Sequence, residues 1–265
     1  MTSKNVVVIP MYKVELTKNE LLSLLNTCKV LSRHDIVFAS PKKLNDLLHK
    51  FIETYSLNVR VVYFSNRYFK SIKAYNKLLL SRKFYIEFSD YKFLLIVQTD
   101  AFVFSDELDL WVRKGYSYVG APWFDGIDKP SLPLTINGIG NGGFSLRKVD
   151  HFLKVLSTPR MLSYPAKYLT GLRVPEILRK VHHSVFSFNF YPLFPKVNED
   201  SFWGEFVPLN FSWFTIPSHN TAISFSFELA PRYLYKLNNN KLPFGCHAWE
   251  KYDSKFWKDI ILTER

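Results

Sequence analysis

Cysteine is nearly absent: Cys28 and Cys246 are the only two in 265 residues. That is too few for a disulfide framework or a cysteine-built zinc site, so a reducing compartment is the simpler setting. Glycine is also scarce, ten in all, which makes its placement informative. No apolar run comes near the roughly 18 residues of a membrane span. Met1-Thr-Ser-Lys-Asn5 leads into only five apolar-type residues, so no signal peptide is expected, and a cytoplasmic setting is. Repeats and low-complexity tracts are missing, and no shift in composition marks a boundary, so the expectation is one domain spanning 1–265. Acids are outnumbered, 23 Asp and Glu against 35 Lys and Arg, for a net charge of +12. Such a balance implies an anionic partner: nucleic acid, an anionic lipid surface or a phosphorylated small molecule.

What is present reads as a core-forming chain, 47% hydrophobic and 17% aromatic. Val6-Val-Val-Ile-Pro10 predicts a short buried strand ended by its proline. Thr17-Lys-Asn-Glu20 has the spacing of a capping box, and Leu21, Leu24, Leu25 and Cys28 follow at helical intervals, which predicts a helix over 18–31. Strands are expected at Asp35–Ala39 and Asn58–Phe64, with a helix opening at Ser40-Pro41 between them. Alternation of this kind predicts a parallel sheet joined by right-handed crossovers. Phe93 to Val97 is a continuous apolar run that suits a strand buried on both faces. It ends at Gln98-Thr99-Asp100, and in open α/β sheets ligands bind beyond the carboxyl ends of the strands. Asp100 is therefore placed at a cleft, where a carboxylate can hold a metal.

Residues 54–86 contain no acid but carry Arg60, Arg67, Lys70, Lys73, Lys77, Arg82 and Lys83, with Phe69, Ile72, Tyr75 and Leu79 as an expected inward stripe. Ser105-Asp106 opens a predicted helix closed by Gly115, and Tyr116–Trp123 reads as strand and turn. Four of the ten glycines crowd into residues 137–143, where backbone can approach a ligand closely; a phosphate-binding P-loop is excluded because its Lys-Ser/Thr ending is missing. Ser145 is expected to open a helix with Leu146, Val149, Phe152, Leu153 and Leu156 inward. His182-His183 reads as surface rather than as a metal pair. Asn198-Glu199-Asp200 suits a helix start or a general base, and His247 stands after a glycine between aromatics.

The series Ile9-Pro-Met-Tyr12, Tyr75-Asn76, Phe84-Tyr85, Gln98–Phe104, Tyr118–Trp123, Gly140–Arg147, Asn198-Glu-Asp200 and Pro243–Trp249 resembles the DUF5672 family, taken as glycosyltransferases of bacterial surface-polysaccharide synthesis. The resemblance implies an α/β fold like the GT-A class: a Rossmann-type, mostly parallel central sheet flanked by helices, with a C-terminal acceptor-side subregion. It implies a nucleotide-sugar half over about 1–123 and an acceptor half over about 124–265. The implied reaction moves a hexose from a nucleotide-sugar donor, UDP-sugar foremost, to a glycan or polyprenyl-linked acceptor in lipopolysaccharide or capsule synthesis, with the inner face of the cytoplasmic membrane as a peripheral contact. The Asp-X-Asp motif of that class is matched by Gln98-Thr99-Asp100, with glutamine in place of its first acid. Carried over by motif, Asp100 and His247 are implied metal ligands for Mn²⁺ or Mg²⁺, and a histidine ligand favours Mn²⁺. Asp200 is the implied base with Glu199 as fallback. Pro10, Tyr12, Asn76, Gln98 and Asp100 are implied at the donor; Asn141, Gly142, Gly143, Trp123 and Trp203 at the acceptor. Trp123, Trp203, Phe244 and Trp249 are the candidate rings for stacking on sugar. Two rivals are an inactive GT-A-like accessory protein, prompted by Gln98, and a nucleic-acid-binding module, prompted by the charge; nucleic acid is not expected, because the charge is spread out and no binding motif accompanies it.

Overall fold

The computed structural model describes residues 4–126, 132–158 and 198–262. The first half alternates as the hydrophobic pattern requires: β1 (Asn5–Pro10), α1 (Lys18–Val30), β2 (Asp35–Pro41), α2 (Asn45–Thr54) and β3 (Arg60–Phe64). The capping box forms: the Thr17 hydroxyl accepts from the Glu20 amide, and the Glu20 carboxylate accepts from the Thr17 amide. Helices α3 (Ile72–Leu79) and α4 (Arg82–Ile86) then lead to β4 (Phe93–Val97).

These four strands pair in parallel in the order β3-β2-β1-β4. The chain winds outward from β1 and then returns to add β4 on the other side. The winding direction reverses between β1 and β4, and a crevice opens outside the carboxyl ends of strands at such a point. Side chains alternate across the sheet. Val6, Val8, Leu94 and Ile96 pack with Leu78, Phe84 and Phe152 on one face. Val7, Ile9, Leu95 and Val97 pack with Leu24, Leu48 and Trp111 on the other.

The second half comprises β5 (Phe102–Val103), α5 (Leu108–Lys114), β6 (Tyr118–Val119), β7 (Pro122–Phe124), β8 (Ile136–Ile139), β9 (Phe144–Lys148), α6 (Val149–Ser157), β10 (Ser226–Phe227) and β11 (Gly245–Cys246). Gly115 closes α5 in the left-handed conformation, φ 74°. Strand β9 runs antiparallel to β4 and β6 antiparallel to β9, which completes a six-stranded, mostly parallel sheet. A three-stranded sheet, β10-β11-β5, sits beside it over a core of Phe227, Trp249 and Trp257. Among the described residues no helix is long and apolar enough to cross a membrane.

Several local expectations fail for physical reasons. Ser145 does not open a helix: residues 144–148 form β9, because the buried backbone of β4 needs a second hydrogen-bonded neighbour, and the helix starts only at Val149. Pro41 ends β2 instead of starting a helix, which begins at Asn45 after one tight turn. The strand read over 116–123 splits into β6 and β7 at Gly120, whose missing side chain lets the Gly140-Asn141 backbone approach. Part of the glycine-rich stretch is strand β8, paired with β7. Ile72, counted on the inward stripe, is 78% exposed. His182-His183 lies outside the described residues.

Candidate active site

Register brings the candidate residues together. Gly245 and Cys246 of β11 pair antiparallel with Val103 and Phe102 of β5, so His247 emerges beside the Asp100-Ala101 turn. Ser226 and Phe227 of β10 pair in parallel with Gly245 and Cys246, so Glu228 emerges level with His247. Three short strands thus set Glu228, His247 and Asp100 in a row at the end of β4. His247 Nδ1 donates to Glu228 Oε1 at 2.8 Å; an ionised carboxylate can only accept, so Nδ1 carries a proton, and Nε2 carries a second one when the ring is an imidazolium. That Nε2 is buried without a hydrogen-bond partner, and Asp100 Oδ1 lies 3.3 Å away. The same Glu228 accepts from the Asn141 amide through its other oxygen, 3.0 Å.

The charges reinforce one another. Burial alone would depress the His247 pKa; Asp100 and Glu228 overcome it and push it up to about 10. Burial would raise Asp100, and the neighbouring imidazole more than offsets that, holding it below the usual carboxylate value. An ion that takes Nε2 must displace this proton.

The glycine loop approaches the row because β9 antiparallels β4. The Gln98 amide donates to the Gly143 carbonyl at 2.8 Å, and the Gln98 side chain reaches the Gly142 carbonyl at 3.5 Å. A Cβ at Gly143 would clash with His247 Nε2; glycine there lets the imidazole pack close against the backbone. Asn141 is buried, its Oδ1 accepting from the Gly143 and Phe144 amides at 2.7 and 2.9 Å. With Glu228 accepting from its Nδ2, its side chain shapes the loop. Gly142 is half-buried, and Gly143 is covered by the imidazole.

Glu199 and Asp200 begin a helical segment, Glu199–Ser201, that continues into a π-turn, Phe202–Phe206. Glu199 is sealed in the core: its Oε1 accepts from Arg147 at 2.8 Å, and both side chains are almost wholly buried. Arg147 also donates to Ser145 and to the Tyr85 hydroxyl at 2.9 Å. This ion pair takes one carboxylate oxygen of Glu199, the fallback base, and its other oxygen, Oε2, is buried without a hydrogen-bond partner. Asp200, next along, is only half-buried. Burial first, then the charges of Glu199 and Glu228, raise its pKa to about 7, the poise a general base needs.

The other candidates divide. Pro10 is buried and Tyr12 is 52% exposed at the end of β1, across the crevice from Gln98 and Asp100. Asn76 is nearly buried and donates to Asn198 Oδ1 at 3.0 Å, so it ties α3 to the segment that carries Glu199 and Asp200. Trp203 is fully buried, its ring 3.9 Å from that of Phe152, so it packs the core and cannot meet a sugar. Phe244 and Trp249 are also fully buried. Trp123 alone of the four candidate rings keeps exposure, lying over Gly140 and Gly138, where any Cβ would strike it. Sequence reading missed Glu228 and Arg147. Ser224-Phe-Ser-Phe-Glu228 alternates in sequence up to an acid just beyond β10, as Asp100 follows β4, and that was the available signal for Glu228.

Asp100 and His247 fit an ion: an orphaned nitrogen faces a carboxylate, and a second carboxylate fixes the ring, as partners of metal-bound histidines do. Among the described residues no group of three or more His, Cys, Asp or Glu is placed to hold a metal ion, so ligands beyond Asp100 and His247 would come from substrate or water.

The fold and site together define an α/β protein with a mostly parallel sheet and a carboxylate–histidine row at its switch point. The chain belongs to the DUF5672 family, described as a protein of unknown function, which it matches over residues 58–247. No curated protein matches it. Solved structures to which it is similar include the apo-form glycosyltransferase GlyE of Streptococcus pneumoniae TIGR4, at 11% identity and TM-score 0.48, covering 99% of this chain and 63% of that one. Mouse xyloside xylosyltransferase 1 in its apo form is similar at 8% identity and TM-score 0.47, over 92% and 96% of the two chains. A glycosyltransferase involved in glycosylation of the PBCV-1 major capsid is similar at 8% identity and TM-score 0.43, over 98% and 100%.

Proposed function

We propose that this chain is a metal-assisted glycosyltransferase that moves a hexose from a nucleotide-sugar donor, UDP-sugar foremost, to a glycan or lipid-linked glycan acceptor. The observation that carries it is the Glu228–His247–Asp100 row, with an unpartnered imidazole nitrogen facing a carboxylate at the switch-point crevice. When bound there by Asp100 and His247, Mn²⁺ or Mg²⁺ would neutralise charge growing on the departing diphosphate.

The chain's own residues supply the rest. Asp200 takes the proton of the attacking acceptor hydroxyl; such proton transfer is typically worth about 10²- to 10⁴-fold. Its raised pKa keeps it basic enough to accept that proton and ionised over much of the neutral range. Glu228 holds the His247 ring in one tautomer, and Asn141 holds Glu228. Trp123 offers an apolar ring face to a sugar on the acceptor side of the loop. Gln98 keeps an amide where the motif of the resembling class has an acid, available to a ribose or sugar hydroxyl. Tyr12 and Pro10 border the donor side.

Arg67, Lys70, Lys73, Lys77, Arg82 and Lys83 are all exposed and flank the exposed Ile72 in sequence, a composition suited to peripheral contact with an anionic inner membrane carrying a lipid-linked acceptor.

The test is binding and turnover of nucleotide sugars with and without MnCl₂. Metal-dependent donor binding that disappears in Asp100→Ala is the expected result. Donor binding that stays metal-dependent in Asp100→Ala would remove the metal assignment. Absence of turnover alongside intact donor binding would favour the inactive accessory reading.

A further inference from the structure

Lys13 is not assigned any role by the reaction above, yet it stands at the rim of the same crevice. The parallel register of β1 on β4 runs from Asn5↔Phe93 to Val8↔Ile96. The two chains leave the sheet at the same end, Tyr12-Lys13 beyond β1 and Asp100 beyond β4, and Asp100 acts electrostatically on both Tyr12 and Lys13. The charge of Lys13 is among those that hold the Asp100 carboxyl low, and Asp100 in turn raises the Lys13 pKa. Its ammonium does not reach across: it is held 2.8 Å from both oxygens of Glu20. Glu20 has a separate structural duty, because its carboxylate also accepts from the Thr17 amide at 2.8 Å and so caps α1.

We propose that Lys13 is a ligand for the donor's diphosphate, held in check by Glu20 until a nucleotide enters. The inference rests on the reading of the site as a nucleotide-sugar crevice. Three features support it. The Lys13 side chain keeps 37% of its exposure against 12% for Glu20, so the lysine is the partner free to swing. Ion pairs this open contribute little, so exchanging one carboxylate for a dianionic diphosphate is favourable. A lysine is a flexible point charge on a long stem, suited to follow a leaving group as negative charge develops on it.

Glu20 permits a test with opposite signs. Glutamine satisfies a capping box as glutamate does, so Glu20→Gln removes the restraint on Lys13 while keeping the helix cap. UDP, GDP and CDP are titrated into the wild-type chain with MnCl₂ by calorimetry, and the one that binds is carried forward beside its nucleoside. Lys13→Gln is expected to weaken the nucleoside diphosphate about tenfold or more, the size of one charge-assisted contact. Glu20→Gln is expected to tighten it about two- to fivefold, the size of a released exposed ion pair. Nucleoside binding should be the same in all three chains, and melting temperatures confirm that each variant folds. Unchanged diphosphate affinity in Lys13→Gln overturns the proposal, as does weaker binding in Glu20→Gln or a parallel loss of the nucleoside. If no nucleoside diphosphate binds even the wild-type chain, the functional reading itself fails and this inference goes with it.

Discussion

Two clusters in this molecule pair a cation with carboxylates, and they are built in opposite ways. Arg147 and Glu199 are sealed in the core, with Ser145 and Tyr85 also accepting from the guanidinium. His247 sits at the rim between Glu228 and Asp100, with one ring nitrogen satisfied and the other not. Sealing from water in the first case, where Glu199 Oε2 also has no hydrogen-bond partner, and a place at the rim in the second separate a group that holds the fold from one that can hold a ligand. The segment around Glu199 joins the two: Glu199 is locked inward, while Asp200, one residue on, is half-buried and feels the charges of Glu199 and Glu228.

The largest expected effect falls on that junction. Asp200→Asn should lower kcat by about 10²- to 10⁴-fold, and the wild-type rate should rise with pH and level off above about 7, where the carboxyl has ionised. The same substitution should raise the melting temperature at pH 8. The folded-state pKa lies above the ordinary carboxylate value, so the folded chain binds the extra proton between about pH 4 and 7, and stability falls as pH rises through that window. Asparagine never takes the charge and escapes the loss. A variant that is inactive and also less stable at pH 8 would show Asp200 to be part of the closed cluster instead.

Next in size is the closed cluster itself. Arg147→Ala should destabilise the fold by about 3–5 kcal/mol, because it strands a buried carboxylate. Arg147→Met with Glu199→Gln removes both charges together and should cost much less. Denaturant melts of the two variants check this; equal losses would mean that packing, not charge, dominates there.

Glu228→Gln sharpens the contrast from the other side. Gln offers a weaker, neutral partner to Nδ1, so Mn²⁺ affinity by titration should fall about 10- to 100-fold, the usual cost of losing a carboxylate behind a metal-bound histidine, with the fold intact. Unchanged Mn²⁺ affinity would detach Glu228 from the metal reading.

How much of this was legible before the structure follows the same division. The buried strands and α1 were readable because apolar period and capping chemistry are local: Phe93–Val97 needs both faces covered, and Thr17 and Glu20 cap each other within one turn. Asp100 was placed at a strand end by that logic, and Gly143 by glycine density. Arg147 was not legible, since placing it in a helix hid a residue that β4 needs in a strand partner. Glu228 was missed because its role depends on the pairing of three two-residue strands, too short to leave a periodic trace. Trp203 misled for a related reason. An aromatic near acids suits a sugar platform, but the π-turn rotates this ring onto Phe152 and Phe214.

The smallest expected effect is on stability when Asp100 itself is lost. Its side chain is 43% exposed and its contact with His247 is 3.3 Å without a closed hydrogen bond. Pairs that open to water contribute at most about 1 kcal/mol. Asp100→Ala in the absence of metal should therefore shift the unfolding free energy by no more than that, several-fold less than Arg147→Ala. With saturating Mn²⁺ the wild-type melting temperature should rise, since an ion that binds only the folded chain stabilises it by mass action. Asp100→Ala should lose that rise. A large metal-free loss would place Asp100 with the closed cluster, as a residue of the fold, and leave His247 without a carboxylate partner for an ion.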